Sequence, residues 1–161
     1  MGSEMCIRDS VYTAEEAWDV LPRVVSSIES FDPALVRSAV ANFLLAEFTA
    51  RSVKVVLTGE GADELFAGYE YYDDFRDEGA LQDELVRSVE SLHSLNLQRC
   101  DRVTMAHGLE ARVPFLDSHM IELSLALPET AKIPGEGKPE KYLLRMAFDG
   151  WVPEDLSLIH I

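Results

Sequence analysis

Basic residues are scarce in this chain of 161 residues: 14 lysines and arginines stand against 29 aspartates and glutamates, a formal net charge of −15 at pH 7. So acidic a balance argues against holding nucleic acid through charge alone. It does not oppose a nucleotide, which needs only local cations and a metal. Cysteine is scarcer still, at Cys6 and Cys100 only. Cys6 falls in the first ten residues, which read as adapter rather than protein, and a single remaining cysteine makes neither an internal disulfide nor a cysteine-rich metal site. Cys100 is therefore expected to be a buried small hydrophobe. No apolar run approaches the ~18 residues of a membrane span, and a cytoplasmic location is the expectation. Internal repeats and low-complexity segments are absent.

The two ends read as translated sequencing-library adapter rather than protein. Residues 1–10 are MGSEMCIRDS and residues 156–161 are LSLIHI. A transposon end encodes Met-Cys-Ile-Arg-Asp-Ser in one direction, and its reverse complement encodes Leu-Ser-Leu-Ile-His-Ile. Such segments carry no information about fold. Residues 11–155 are then the natural part. Arg8, Glu4 and Asp9 leave the count with the ends, giving 13 basic and 27 acidic residues and a net charge of −14. The remaining length suffices for one globular core.

Along this part, Thr13 with Glu16 fits a capping box opening a helix, and Ala17, Val20, Leu21, Val24, Val25 and Ile28 recur at helical spacing. Pro22 interrupts that run. Asp32 and Pro33 are suited to the cap and first position of a second helix, whose apolar residues run from Leu35 to Phe48. Residues 53–57, VKVVL, are short and β-branched, which predicts a buried strand. An apolar helix feeding such a strand is the unit of an α/β sheet. The glycine-bearing loop 58–61 follows at the strand's carboxyl end, the edge where open parallel sheets bind ligands. A short helix is predicted over 62–68. Further helices are predicted over 83–95 (with Leu85, Val86, Val89, Leu92 and Leu95 inward), 96–106, from a cap at Asp117 through 127, and 140–148. Residues 112–116 read as extended and 133–138 as a turn.

The loop 58–64, TGEGADE, gathers the groups that carry chemistry. Gly59 and Gly61 let a ligand approach the backbone. Thr58 adds a hydroxyl, and amides at the start of the following helix favour an anion. Glu60, Asp63 and Glu64 put negative charge in the same place. Carboxylates beside a phosphate need an intervening cation, for which Mg²⁺ with oxygen ligands is suited. On spacing alone the loop is either a nucleotide–Mg²⁺ site or a plain glycine-carboxylate turn with a capped helix.

Residues 55–69, VVLTGEGADELFAGY, resemble the second signature of the asparagine synthetases. RCDR at 99–102, MAHGLEARVPFLD at 105–117 and KYLLR at 141–145 follow in that family's order and spacing. The resemblance implies an α/β fold with an adenine-nucleotide α-hydrolase-like parallel sheet, here as a helix-rich, partial synthetase domain. It implies an enzyme that uses ATP and Mg²⁺ to adenylate the aspartate side chain, with glutamine-derived ammonia then displacing AMP to give asparagine. Thr58 and Gly59 match the ATP-contacting pair of the family. Glu60 matches the glutamate that serves the intermediate and deprotonates incoming ammonia. Asp63 matches a carboxylate near Mg²⁺. The partners implied are small molecules and a glutaminase domain of the same chain, with no nucleic acid or membrane and with room for a homodimer. The family's Ser-Gly-Gly-x-Asp-Ser loop and its pyrophosphate-binding lysine match nothing in residues 11–155, so the chain alone is expected to be inactive. Two alternatives accompany this reading. One is a related adenylating amidotransferase or cyclase of the β-lactam synthetase kind, which places tyrosine where Glu60 stands. The other is a non-catalytic homologue.

Outside the loop, Arg99, Arg102 and Arg112 suit either an anionic ligand or ion pairs with Asp101, Glu110 and Asp117. His107 is expected to be structural, Lys138 and Lys141 to be solvated, and Tyr69, Tyr71 and Tyr72 to pack.

Overall fold

The computed structural model describes residues 10–75, 79–133 and 138–152. The end segments, apart from Ser10, and most of the turn expected over 133–138 lie outside the described residues. The chain divides into two compact units, one of residues 1–56 and 95–112, the other of residues 57–94 and 113–161.

The first unit is a trio of helices with a strand pair. Thr13 opens α1 (Ala14–Ile28) with a complete capping box: Thr13 Oγ1 accepts from the Glu16 amide at 3.2 Å and Glu16 Oε2 accepts from the Thr13 amide at 2.7 Å. The helix runs through Pro22 and buries Val20, Val24 and Ile28. That four-residue step keeps one face inward. Asp32 Oδ1 accepts from the amides of Ala34 and Leu35 at 2.9 and 2.8 Å, and Pro33 begins α2 (Pro33–Thr49). Leu35, Ala39 and Phe43 of α2 join the α1 residues and Val103 of α5 (Asn96–Met105) in one apolar cluster. Burying each of the large members contributes about 1.5–3 kcal/mol. Gln98 ties α5 to α1 by donating to the Ile28 carbonyl at 3.0 Å. Cys100 is a buried thiol, as expected.

Strand β1 (Val55–Leu57) pairs with β2 (Glu110–Arg112) in a two-stranded parallel sheet. The expectation of a buried strand fails: Val53 is 43% exposed, Val55 39% and Leu57 74%. A parallel strand is buried only when both faces are covered, and among the described residues the sheet has just these two strands.

The second unit begins at Leu57 and carries α3 (Ala62–Leu65), α4 (Ala80–Ser91), α6 (Ser118–Ala126), α7 (Glu129–Lys132) and α8 (Tyr142–Ala147). Its core joins Ala67, Tyr72, Leu81 and Leu85, with Tyr69, Phe75, Leu125 and Ile133 packed around them. Gln82 of α4 donates to the Leu125 carbonyl at 3.1 Å. Leu95, expected inward, is 45% exposed, because α4 stops at Ser91 and a tighter 3₁₀ turn over Leu92–Ser94 rotates the register. Residues 112–116 are extended only at the start. Pro114 opens a 3₁₀ turn, Pro114–Leu116, since its fixed φ suits a first helical position. Asp117 then caps α6 as expected.

Lys132 has no sequence precedent: it is 1% exposed, and its Nζ has no hydrogen-bond partner among the described residues. Burial pulls its pKa below the ordinary lysine value of 10.5. Between the folded and unfolded pKa values the unfolded chain binds more protons, so stability rises with pH through the alkaline range up to the unfolded pKa. Lys132→Met removes a buried ammonium that has no hydrogen-bond partner among the described residues, and is expected to stabilise the chain by ~1–3 kcal/mol at neutral pH. It should also flatten the alkaline rise. Urea unfolding at neutral and alkaline pH checks both, and a variant less stable than the parent at neutral pH would contradict this account.

Candidate nucleotide loop

Residues 58–61 leave the carboxyl end of β1, and the glycines in and after this loop are not equivalent. Gly59 faces open space, with nothing within 4 Å of where a Cβ would stand. Gly61 has φ +94, and its Cβ would lie 2.4 Å from Leu116 Cδ2. Gly68, just beyond α3, is closed more tightly still, its Cβ falling 2.0 Å from Asp63 Oδ1. Gly61 and Gly68 are therefore packing glycines, whereas Gly59 leaves an accessible stretch of backbone. Thr58 and Glu60 flank it, both partly buried.

The helix after the loop is shorter than expected, and its contribution to an anion site is correspondingly less. α3 spans Ala62–Leu65, one turn, so its aligned dipoles are few. The Ala62 amide is committed to the Gly59 carbonyl at 3.1 Å. The helix ends because Ala67 takes φ +52 and the Gly68 amide returns to the Asp63 carbonyl at 2.9 Å, the closing bond of a Schellman-type cap.

The three carboxylates of the loop have separate surroundings. Glu64 is buried at 4% exposure and accepts the Tyr69 hydroxyl at 2.6 Å. Burial, and then that bond to a carboxylate, push the Tyr69 phenol far above its ordinary pKa. Asp63 Oδ1 accepts Lys141 Nζ at 2.7 Å. This corrects the expectation that Lys141 is solvated: its side chain is 25% exposed. Nothing local could have revealed the pairing, since 78 residues separate the two. Glu60 lies on the turn beside the open glycine.

Among the described residues, no three of His, Cys, Asp and Glu come together as a metal cage. Mg²⁺ does not require one, because waters and phosphate oxygens complete its shell around one or two carboxylates. Asp63 already accommodates a cation, the Lys141 ammonium, so its surroundings fit a positive group.

The tyrosines cluster, with Tyr69 and Tyr71 rings stacked 5.8 Å apart and Tyr71 and Tyr72 rings tilted 4.4 Å apart. Tyr71 donates to Glu84 at 3.1 Å, and Arg87 holds the Glu84 carboxyl below the usual range. In the first unit, Arg112 Nε meets Glu110 at 2.8 Å, Arg102 pairs with Glu29 rather than with Asp101, and Arg99 Nη1 donates to Ser38 and Asn96. His107 packs edge-on against Phe43 at 4.4 Å, and burial lowers its pKa. Each of these four side chains thus has a neighbour in a hydrogen bond, an ion pair or a ring contact. Lys138 lies over the Tyr142 ring, 5.6 Å from its centre.

A sequence model of the asparagine synthase family matches residues 6–76 and 73–157. The chain is 40% identical over 142 residues to a probable glutamine-hydrolysing asparagine synthetase of Schizosaccharomyces pombe, covering 88% of this chain and 26% of that protein. It is 40% identical to glutamine-hydrolysing asparagine synthetase 1 of Saccharomyces cerevisiae, over 88% and 25% of the two chains. It is 33% identical to asparagine synthetase B of Escherichia coli, over 91% and 26%. The chain thus spans about a quarter of the length of the curated relatives it matches. Since the family model covers nearly all of the chain, the chain belongs to the asparagine synthase family.

Proposed function

We propose that loop 58–64 is one wall of the nucleotide site of an ATP-dependent, amide-forming synthetase that converts aspartate to asparagine with glutamine-derived ammonia. The single observation that carries this reading is the contrast between glycines in the family signature: Gly59 is open where Gly61 and Gly68 are filled. An accessible glycine between a threonine hydroxyl and a glutamate is what close approach of a nucleotide requires. The parent fold we infer is an adenine-nucleotide α-hydrolase-like sheet of which β1 and β2 are two strands, in a cytoplasmic protein. The chain alone lacks matches to the phosphate loop and the pyrophosphate lysine, so we infer that it is inactive by itself.

In this reading Thr58 and Gly59 bind and orient ATP through a hydroxyl and a backbone amide. Asp63 is the carboxylate that would hold Mg²⁺, which when bound would supply charge neutralisation between substrate carboxylate and phosphate. Ammonia attacking the activated aspartate becomes a cationic amine that must lose a proton, and we assign Glu60 as the carboxylate that takes it. Glu60 also favours the ammonia-using reading over the lactam-forming one, which has no external ammonia to deprotonate.

Gly59→Ala separates a ligand-facing glycine from a structural one. With nothing within 4 Å of its Cβ and no positive φ, the variant should unfold within about 0.5 kcal/mol of the parent. In a family-length synthetase carrying this chain, ATP affinity should nevertheless fall about tenfold or more, because a methyl occupies the approach. Denaturant unfolding and equilibrium ATP binding measure the two. Unchanged ATP affinity would remove Gly59 from the site.

A further inference from the structure

Asp63 is held on two sides. Lys141 Nζ donates to its Oδ1 at 2.7 Å, with the two side chains 25% and 31% exposed. Gly68 closes the other side, leaving no room for a Cβ between itself and that same oxygen. Lys141 reaches this place from a constrained backbone: it has φ +53, a conformation unfavourable for residues with a Cβ, and its carbonyl accepts from the Arg145 amide at 3.0 Å at the start of α8. A lysine with no task at Asp63 would be expected to extend into solvent, as long cationic side chains ordinarily do.

We propose that Lys141 is the resident counter-ion of Asp63 and that a divalent metal must displace it to bind there. This rests on the reading of the loop as a nucleotide–metal site. The physical reason is that Oδ1 is occupied by an ammonium at hydrogen-bond distance. A second cation at the same carboxylate meets like-charge repulsion, weakened but not abolished by partial exposure. Lys141 thereby keeps Asp63 oriented and neutralised before metal arrives and sets a threshold for metal binding. It is a positioning residue, acting through Asp63.

The test uses Mn²⁺ as a paramagnetic probe, titrated into the whole chain while the backbone amide signals of Asp63 and Gly68 are followed by NMR. In Lys141→Met the Mn²⁺ concentration that half-broadens these signals should fall about tenfold. In Lys141→Arg, which restores a cation, it should return towards the parent value. A lysine that merely packs would leave the concentration unchanged or, if its loss loosened Asp63, raise it. Either result overturns the proposal, as does absence of broadening in Lys141→Met. A second measurement needs no change at Lys141: its side-chain signals should shift on adding Mg²⁺ to the parent chain and stay still in Asp63→Asn. Shifts of equal size in both would also overturn it. Addition of ATP distinguishes this failure from failure of the loop reading. Movement of the Thr58 and Gly59 amides on adding ATP, with equal Mn²⁺ broadening in parent and Lys141→Met, removes only the role of Lys141. No movement at those amides, together with no broadening, removes both.

Discussion

Glu60→Gln in a family-length synthetase carrying this chain is expected to lower ammonia-dependent asparagine formation by roughly 10²–10⁴-fold while ATP binding is largely kept. Glutamine has nearly the size and shape of glutamate but accepts no proton. The groups assigned to ATP, the Thr58 hydroxyl and the Gly59 backbone, are untouched by the change. Glu60 is partly buried on the turn between Gly59 and Gly61, so little packing is lost. The measurements are asparagine produced from ammonium with saturating ATP and aspartate, and the equilibrium affinity for ATP. An unchanged rate would remove Glu60 from the chemistry. A rate lost in proportion to ATP affinity would instead make Glu60 a binding residue.

Gly68→Ala should lower stability strongly, for a reason of space rather than backbone conformation. Gly68 is not among the positive-φ glycines. Its Cβ would lie 2.0 Å from Asp63 Oδ1, 2.9 Å from Cγ and 3.0 Å from the α-carbon of Asp63. The carboxylate can swing aside, but only by leaving Lys141, and no rotamer relieves the crowding against the Asp63 backbone. The Gly68 amide is also bonded to the Asp63 carbonyl at 2.9 Å, so the two backbones cannot separate without losing the cap of α3. Overpacking of this kind costs about 1–3 kcal/mol, and loss of the partly exposed ion pair adds at most about 1 kcal/mol. Urea unfolding of the chain measures the sum. A Gly68→Ala chain within about 0.5 kcal/mol of the parent would show that the turn opens freely. Beside it, Gly59→Ala serves as the neutral control from the same signature.

The sequence by itself determined what depends on neighbours within a few residues. The Thr13–Glu16 box, the Asp32 and Asp117 caps and the first position of Pro33 were legible because capping is a bond between a side chain and an amide two or three residues away. The four-residue recurrence of Val20, Val24 and Ile28 disclosed the inward face of α1 for the same local reason. The family was legible because four motifs in one order carry far more information than any single turn.

Tertiary structure alone decided the rest. Periodicity marks residues 53–57 as a strand, but whether Val55 and Leu57 are covered depends on what packs over the sheet, and here they are exposed. The apolar spacing of 83–95 did not disclose the 3₁₀ turn that puts Leu95 outside, nor that Glu84 and Ser88 lie inside, within hydrogen-bond reach of the Tyr71 hydroxyl. Lys132 and Lys141 look alike in sequence, two lysines near turns, yet one is buried without a hydrogen-bond partner among the described residues and the other is clamped to Asp63. The distinction between an open Gly59 and the filled Gly61 and Gly68 is likewise absent from the string TGEGADELFAG. Pairing and burial are set by residues brought from far along the chain, and a charge or a glycine carries no local record of what will be placed against it.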